Sequence, residues 1–325
     1  MNRLLQRTRE QQRAGSPDNL RRDDIQQGGG RHVDHHLRLS DGRNLAYAEY
    51  GDPAGIPVIY FHGAPSGRLE PMLIGDDRWA ALGLRIIAPD RPGIGGSSAQ
   101  PDRRLIDWPR DVMELAQHLG LATFSLLGNS GGGPYVAACA SVFPERLRTA
   151  VVVSGAWQMS LPESRAGMPL PNRLAFWLAR RAPALLGLLL GTMAKSTPAD
   201  MEKERAQLKA RVPAADYEAF LVPGRIDAFS ACLRDALSPG AGGAALDMGL
   251  LTRPFGFEPA DVGLPVTWFH GERDANVPIG LARLAVAALP GAQLVSYPED
   301  AHLSTLCTHI DAIAQALRGN AGRPA

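Results

Sequence analysis

The chain has 325 residues, enough for one large α/β domain or two smaller ones around a sizeable core. Its 34 Lys and Arg against 33 Asp and Glu leave a formal net charge of +1 with no long block of one sign, so the electrostatic footprint of a nucleic-acid or anionic-membrane partner is absent. Three cysteines, Cys139, Cys232 and Cys307, are too far apart for a disulfide framework or for the close Cys/His spacing of a zinc site, and they fit a reducing cytoplasm. Only Lys195, Lys203 and Lys209 are lysine, a skew toward arginine that suits a GC-rich bacterial genome.

Residues Met1–Arg31 carry seven arginines against four acids, lack the apolar stretch of a secretory signal and end in Gln26-Gln27-Gly28-Gly29-Gly30, which reads as a disordered tail. Past it, His35–Leu39 and Asn44–Glu49 alternate apolar and polar residues across Asp41-Gly42, a strong hairpin signal. Continuous apolar runs follow at Val58–Phe61, Arg85–Ala88, Phe124–Gly128, Arg148–Ser154, Pro265–His270 and Gln293–Tyr297, as buried parallel strands require. Between them, Val112, Leu115, Ala116 and Leu119 space one helix, with Asp107 as its N-cap and Gly120 just past its end; Ile310, Ile313, Ala314 and Leu317 space another. The alternation predicts an α/β fold with a mostly parallel, doubly wound sheet of eight strands, whose ligands sit beyond the carboxyl ends of the strands.

One interval breaks the rhythm. Gln158–Val262 carries helical patterns and several prolines but no convincing strand, and is expected to be a helical lid inserted into a core made of residues 32–157 and 263–325. Its most lipid-like stretch, Ala184–Ala194, has eleven residues, short of the about 20 that cross a bilayer. Leu185, Leu186, Leu188, Leu189, Leu190 and Trp177 either line an acyl pocket or pack the lid on the body.

The chemistry concentrates at Gly128-Asn129-Ser130-Gly131-Gly132, between an apolar strand and a helical pattern, the setting of a G-x-S-x-G nucleophile elbow. There a serine is presented from a strained turn, Gly128 and Gly132 leave the space a Cβ would fill, and Gly133 adds slack. A neutral serine hydroxyl is a poor nucleophile, so Ser130 needs a general base and that base an orienting acid.

The elbow does not stand alone. Phe61-His62-Gly63-Ala64-Pro65, the loop Asp90–Ser97, His270-Gly271-Glu272-Arg273-Asp274 and Asp300-Ala301-His302 each follow a predicted strand, and with the elbow, over about Leu37–Leu317, the chain resembles the α/β-hydrolase family. The resemblance implies that fold and the order nucleophile, acid, histidine. It makes His302 the base, on the exit loop of the last strand, with His309 left as a surface residue of the terminal helix. Asp274 becomes the acid, ahead of Glu272 on the same loop, of Asp300, too close in sequence to His302, and of Asp247 in the lid. It also places the oxyanion-hole amides at Gly131 and Ala64, with His62 bracing the loop.

Histidines and acid at His32, Asp34, His35 and His36 invite a metal reading, but they sit at the tail boundary facing alternate sides, so neither metal nor cofactor is expected. The leading expectation is a cytoplasmic serine hydrolase acting on carboxylic esters or lactones of small, mostly apolar molecules. A proline-iminopeptidase-like enzyme, for which Glu202, Glu204 or Glu218 would hold the substrate amine, and a carbon–carbon bond hydrolase use the same triad. A non-catalytic small-molecule-binding protein on the same fold is the alternative from another class. Oligomeric state is not legible.

Overall fold

The period-two segments at the start of the core pair as the hairpin that Asp41-Gly42 demands: β1 (Val33–Arg38) runs antiparallel to β2 (Asn44–Gly51), and Gly42 takes φ 86° at the turn. In this computed structural model the described residues are 32–165, 167–193 and 207–319; the tail expected over Met1–Arg31 lies outside them, as do Glu202 and Glu204. The continuous apolar runs become β3 (Ile56–Phe61), β4 (Leu84–Pro89), β5 (Phe124–Asn129), β6 (Leu147–Val153), β7 (Val266–Gly271) and β8 (Gln293–Tyr297). They join in one eight-stranded sheet of order β1-β2-β4-β3-β5-β6-β7-β8, antiparallel at β1/β2 and β2/β4 and parallel elsewhere. Phe61 lies opposite Gly128 and Gly128 opposite Val152, so the ends of β3, β5 and β6 open into one crevice.

Helices cover both faces. Beside β3–β7, α1 (Asp76–Ala81) lies on one face with the C-terminal helices, while α2 (Trp108–His118) and α3 (Gly133–Val142) lie on the other. The spacing Val112, Leu115, Ala116 does face the core, but Asp107 does not cap α2 with its side chain. A 3₁₀ turn, Leu105–Asp107, leads straight into the helix, so Asp107 already has helical backbone angles (φ −81°, ψ −19°). Its carboxylate turns back to accept from the Arg104 amide at 2.7 Å.

Between β6 and β7 the described residues form helices and no strand: α4 (Pro162–Arg165), α5 (Leu170–Arg181), α6 (Pro183–Met193), α7 (Ala214–Phe220), α8 (Arg225–Ala236) and α9 (Gly242–Leu250). Leu178, Leu186, Leu190, Leu237 and Met248 make a small core among them. Of the expected leucine cluster, Leu186 and Leu190 pack inside it, whereas Leu185, Leu188, Leu189 and Trp177 are exposed. Both ends of the insertion join the main core through Met159, Met168, Leu251, Phe255 and Val262. After β7 come α10 (Ile279–Ala288), α11 (His302–Thr308) and α12 (Ile310–Arg318); α12 buries Ile310, Ile313, Ala314 and Leu317, each large side chain contributing about 1.5–3 kcal/mol.

A buried charge cluster seats α9. Asp247, with no exposed surface, accepts from Arg91 at 2.7 Å, Arg103 at 2.7 Å and the Tyr135 hydroxyl at 2.7 Å. Arg91 also donates to the carbonyls of His62 and Gly63, both at 2.7 Å, so the loop after β3 is tied to the insertion through one guanidinium. Burial alone would raise the Asp247 pKa, but Arg91 and Arg103 outweigh it and hold the carboxyl below its usual range. The helix also lies on the Gly93 turn, where a Cβ on Gly243 would meet Gly93 O at 2.0 Å.

Two outcomes follow for stability. Asp247→Asn strands two buried guanidiniums and should cost about 3–5 kcal/mol in chemical denaturation at neutral pH. Because the folded pKa is depressed, the charge stabilises the fold above the unfolded carboxylate value near 4 and is lost only as pH falls through the lower folded value, so the deficit should narrow only below about pH 4. Gly243→Ala should cost about 1–3 kcal/mol through the blocked approach to Gly93, whereas Gly191→Ala, with open space around it in α6, should hold or raise the melting temperature. Equal effects at the two glycines would contradict this packing.

Candidate active site

β5 is buried along its length and hands the chain to Ser130 at the crevice. Ser130 has φ 51°, a left-handed conformation that costs an L residue about 1–3 kcal/mol. The turn closes only because its neighbours lack side chains: a Cβ on Gly128 would meet Val136 Cγ2 at 2.6 Å, and one on Gly132 would meet Phe61 O at 2.1 Å. Gly133 does not add slack, since a Cβ there would sit 3.0 Å from Val152 Cγ1; it is a packing glycine. A 3₁₀ turn, Ser130–Gly132, then feeds α3, with Pro134 in the first turn, where no amide hydrogen is needed.

His302 opens α11 after the β8 exit loop, and its ring reaches the elbow. Nε2 lies 3.0 Å from Ser130 Oγ and Nδ1 lies 2.8 Å from Asp274 Oδ2. A carboxylate oxygen only accepts, so Nδ1 carries the hydrogen and the Nε2 lone pair receives the Ser130 hydroxyl. Asp274 cannot swing away, because its Oδ1 accepts from the amides of Asn276 and Val277, each at 2.8 Å. Burial would lower the His302 pKa, but the charge and hydrogen bond of Asp274, with the charges of Asp216 and Glu70, raise it above the ordinary value of 6.5.

The loop after β3 faces the elbow. A Cβ on Gly131 would lie 2.9 Å from Ala64 Cβ and 3.1 Å from Ala64 N, so the two segments that carry the expected oxyanion amides meet as closely as their backbones allow. His62 donates from Nδ1 to Gly63 O at 2.8 Å and accepts the Arg91 amide at Nε2, and burial with Arg91 holds its pKa well below the ordinary value. It braces the loop.

The other candidates are turned elsewhere. Glu272 accepts from the Ser296 hydroxyl at 2.8 Å, and Asp300 binds His309 Nε2 at 2.7 Å. His309 is not a surface residue as expected; it is half-buried and stacked on Tyr297 with ring centroids 3.4 Å apart. Asp34 is taken by Arg68 at 2.8 Å, His35 lies 3.6 Å from Glu49, and His36 pairs with the Asn44 amide at 2.9 Å. Trp177 lines a surface groove of about 410 Å³ with Met159, Met168, Arg173, Phe176 and Arg180, and the groove walls do not include Ser130, His302 or Asp274.

Three supports escaped the sequence reading. Buried Glu70 accepts from the Gly63 amide at 2.9 Å, the Tyr60 hydroxyl at 2.8 Å and the Asn129 amide group at 2.7 Å, joining the loop after β3 to the residue before Ser130. Ser154 donates to His302 O at 2.9 Å, and Asp216 of α7 receives the His302 amide at 3.2 Å. Only the placement of an acid in the otherwise apolar run Leu69–Ile74 hinted at Glu70; nothing in the local pattern marks the other two.

Comparison with known proteins bears on the family and the fold. A family profile described as alpha/beta hydrolase fold matches residues 56–306. The chain is 32% identical over 114 residues to the uncharacterized hydrolase YcgS of Bacillus subtilis (strain 168), covering 35% of this chain and 39% of that protein. It is 31% identical over 141 residues to lipase 3 of Moraxella sp. (strain TA144), covering 42% and 44%. The matched stretches thus span less than half of either relative. Among solved structures, a hydrolase from Pseudomonas aeruginosa PA01 superposes over 87% of this chain and 96% of its own with a TM-score of 0.61 at 21% identity, a likeness of fold. With three quarters of its length matched by the family profile, the chain belongs to the alpha/beta hydrolase fold family.

Proposed function

We propose that the protein is a serine hydrolase of carboxylic esters or lactones of small, mostly apolar molecules, with Ser130 as nucleophile, His302 as general base and acid, and Asp274 as the group that orients and charges-balances the imidazole. The observation that carries this reading is the unbroken line Ser130 Oγ, His302 Nε2, His302 Nδ1, Asp274 Oδ2, at 3.0 and 2.8 Å, beside the Ala64 and Gly131 amides. The similarity to a lipase supports it.

In the first step His302 Nε2 takes the Ser130 proton as Oγ bonds the substrate carbonyl carbon, and the carbonyl oxygen becomes an anion between the Ala64 and Gly131 amides. The imidazolium then gives its proton to the departing alkoxide, leaving an acyl group on Ser130. Water, deprotonated by the same nitrogen, attacks the acyl carbon; the carboxylic acid leaves and Ser130 regains its proton. The insertion over residues 158–262 acts as lid and pocket roof: Leu251 Cδ1 lies 3.4 Å from where a Gly131 Cβ would be, and Ala64 packs against the insertion's apolar cluster. An aminopeptidase needs a free carboxylate for the substrate amine. Among the described residues, Glu218 is exposed and Glu70 is engaged by Tyr60, Gly63 and Asn129, so neither offers one; Glu202 and Glu204 lie outside the described residues.

Ser130→Ala should lower kcat on p-nitrophenyl esters by on the order of 10⁴ or more with substrate binding retained, and a fluorophosphonate probe should label Ser130 in peptide mapping. Wild-type turnover by the variant, or label on another residue, would contradict the proposal. The acid limb of kcat/KM should report neutral His302 with an apparent pKa above the ordinary 6.5. Asp274→Asn removes the largest contribution that raises it, so the limb should move to lower pH as the rate falls by about 10⁴. A limb that stays in place would mean another group is titrating.

A further inference from the structure

α11, which begins at His302, has no cap of its own. The preceding residue is Ala301, whose methyl cannot accept a hydrogen bond, although its amide donates to Ser304 Oγ at 2.7 Å. The first three amides of the helix need acceptors from elsewhere. All three find one carboxylate: Asp216 Oδ2 takes the His302 amide at 3.2 Å, and Oδ1 takes those of Leu303 and Ser304 at 2.9 Å each. Asp216 comes from α7, 86 residues earlier and inside the helical insertion, and is only 4% exposed. The His302 carbonyl is meanwhile held by Ser154 Oγ at 2.9 Å, so both backbone groups of this residue are fixed by side chains of distant elements.

We propose that Asp216 is a positioning residue: from the insertion it holds the backbone of His302 in register with Ser130, and so couples the seating of α7 to the competence of the base. This rests on the reading of Ser130 and His302 as nucleophile and base. Three convergent amides explain why a carboxylate is tolerated almost fully buried there, and a carboxylate beside a helix start also meets the positive end of its dipole. Asp216 acts on the ring in a second way. The charged and titratable groups that act on His302 are Asp274 and His270 from the β7 side, Glu70 from the turn after β3, and Asp216; the charges of Asp274, Asp216 and Glu70 all favour the protonated imidazole. Removing the charge at position 216 therefore favours the neutral ring.

The test compares wild type with Asp216→Asn and Asp216→Ser, each of which keeps one side-chain oxygen able to cap a helix but lacks the second oxygen that takes the His302 amide, and with Glu218→Gln as an exposed control on α7. Two readouts are taken: steady-state hydrolysis of p-nitrophenyl esters against pH, and the titration of His302 followed by NMR of isotopically labelled histidine. Both position-216 variants should lose kcat by about 10- to 100-fold with a smaller change in KM, as a base displaced by a fraction of an ångström would. His302 should titrate at lower pH in both, and the acid limb should follow it; Glu218→Gln should match wild type. Unchanged kcat and His302 titration in a folded Asp216 variant, with only a lower melting temperature, would reduce Asp216 to a plain structural cap and overturn the proposal. If wild type neither turns over esters nor takes the probe at Ser130, the nucleophile reading is what fails, and the NMR titration still decides whether Asp216 governs His302.

Discussion

The turn at Ser130 is the constraint on which the rest of the arrangement depends. A serine at φ 51° between a buried strand and a helix requires that nothing stand where the neighbouring side chains would be. Gly132 therefore presses against Phe61 O, and that contact puts the end of β3 beside the elbow. The loop that leaves β3 is thereby delivered next to Gly131, and Ala156 at the exit of β6 donates to Ser130 O at 2.8 Å from the other side. The strain at Ser130 is of the order of a single good hydrogen-bond pair and is readily offset by the fully buried strands around it.

Around this turn, polar contacts between distant segments do what local structure cannot. Glu70 binds the loop after β3 to Asn129, Arg91 binds the same loop to Asp247, and Asp216 binds α7 to the start of α11. Each puts a charge in a place where desolvation costs several kcal/mol, an expense that a plain apolar contact would avoid. What such groups supply is direction: an apolar patch permits sliding, while a carboxylate with three donors has one orientation. Two acids of the insertion, Asp216 and Asp247, reach opposite halves of the crevice, one the backbone of His302 and the other, through Arg91, the loop after β3.

The strands were legible because burial on both faces leaves continuous apolar runs, and the ends of all eight fell within a few residues of their expected places. Ser130, Asp274 and His302 were legible because each follows a strand end inside a short motif, and the structure brings these three side chains into hydrogen-bond contact. The misreadings share a cause. At Asp107 and His309 position along a helix misleads, because a 3₁₀ lead-in decides where the first side chain points and the Tyr297 ring decides the burial of the second. Nothing in the local sequence marks Asp247 as a partner of arginines or Asp216 as the cap of another helix. Their partners lie 156 and 86 residues away, in a stretch whose helical pattern is the same whether an acid faces solvent or a buried arginine.

The central claim is that an acyl group passes through Ser130. Its most direct test is rapid mixing with p-nitrophenyl acetate, acid quench within the first turnover and mass analysis of the peptide that carries Ser130. The account predicts a burst of p-nitrophenol equal to the enzyme present, matched by an acetyl increment on that peptide which decays as water releases acetate. Steady turnover with no burst and an unmodified Ser130 peptide at every quench time would contradict it.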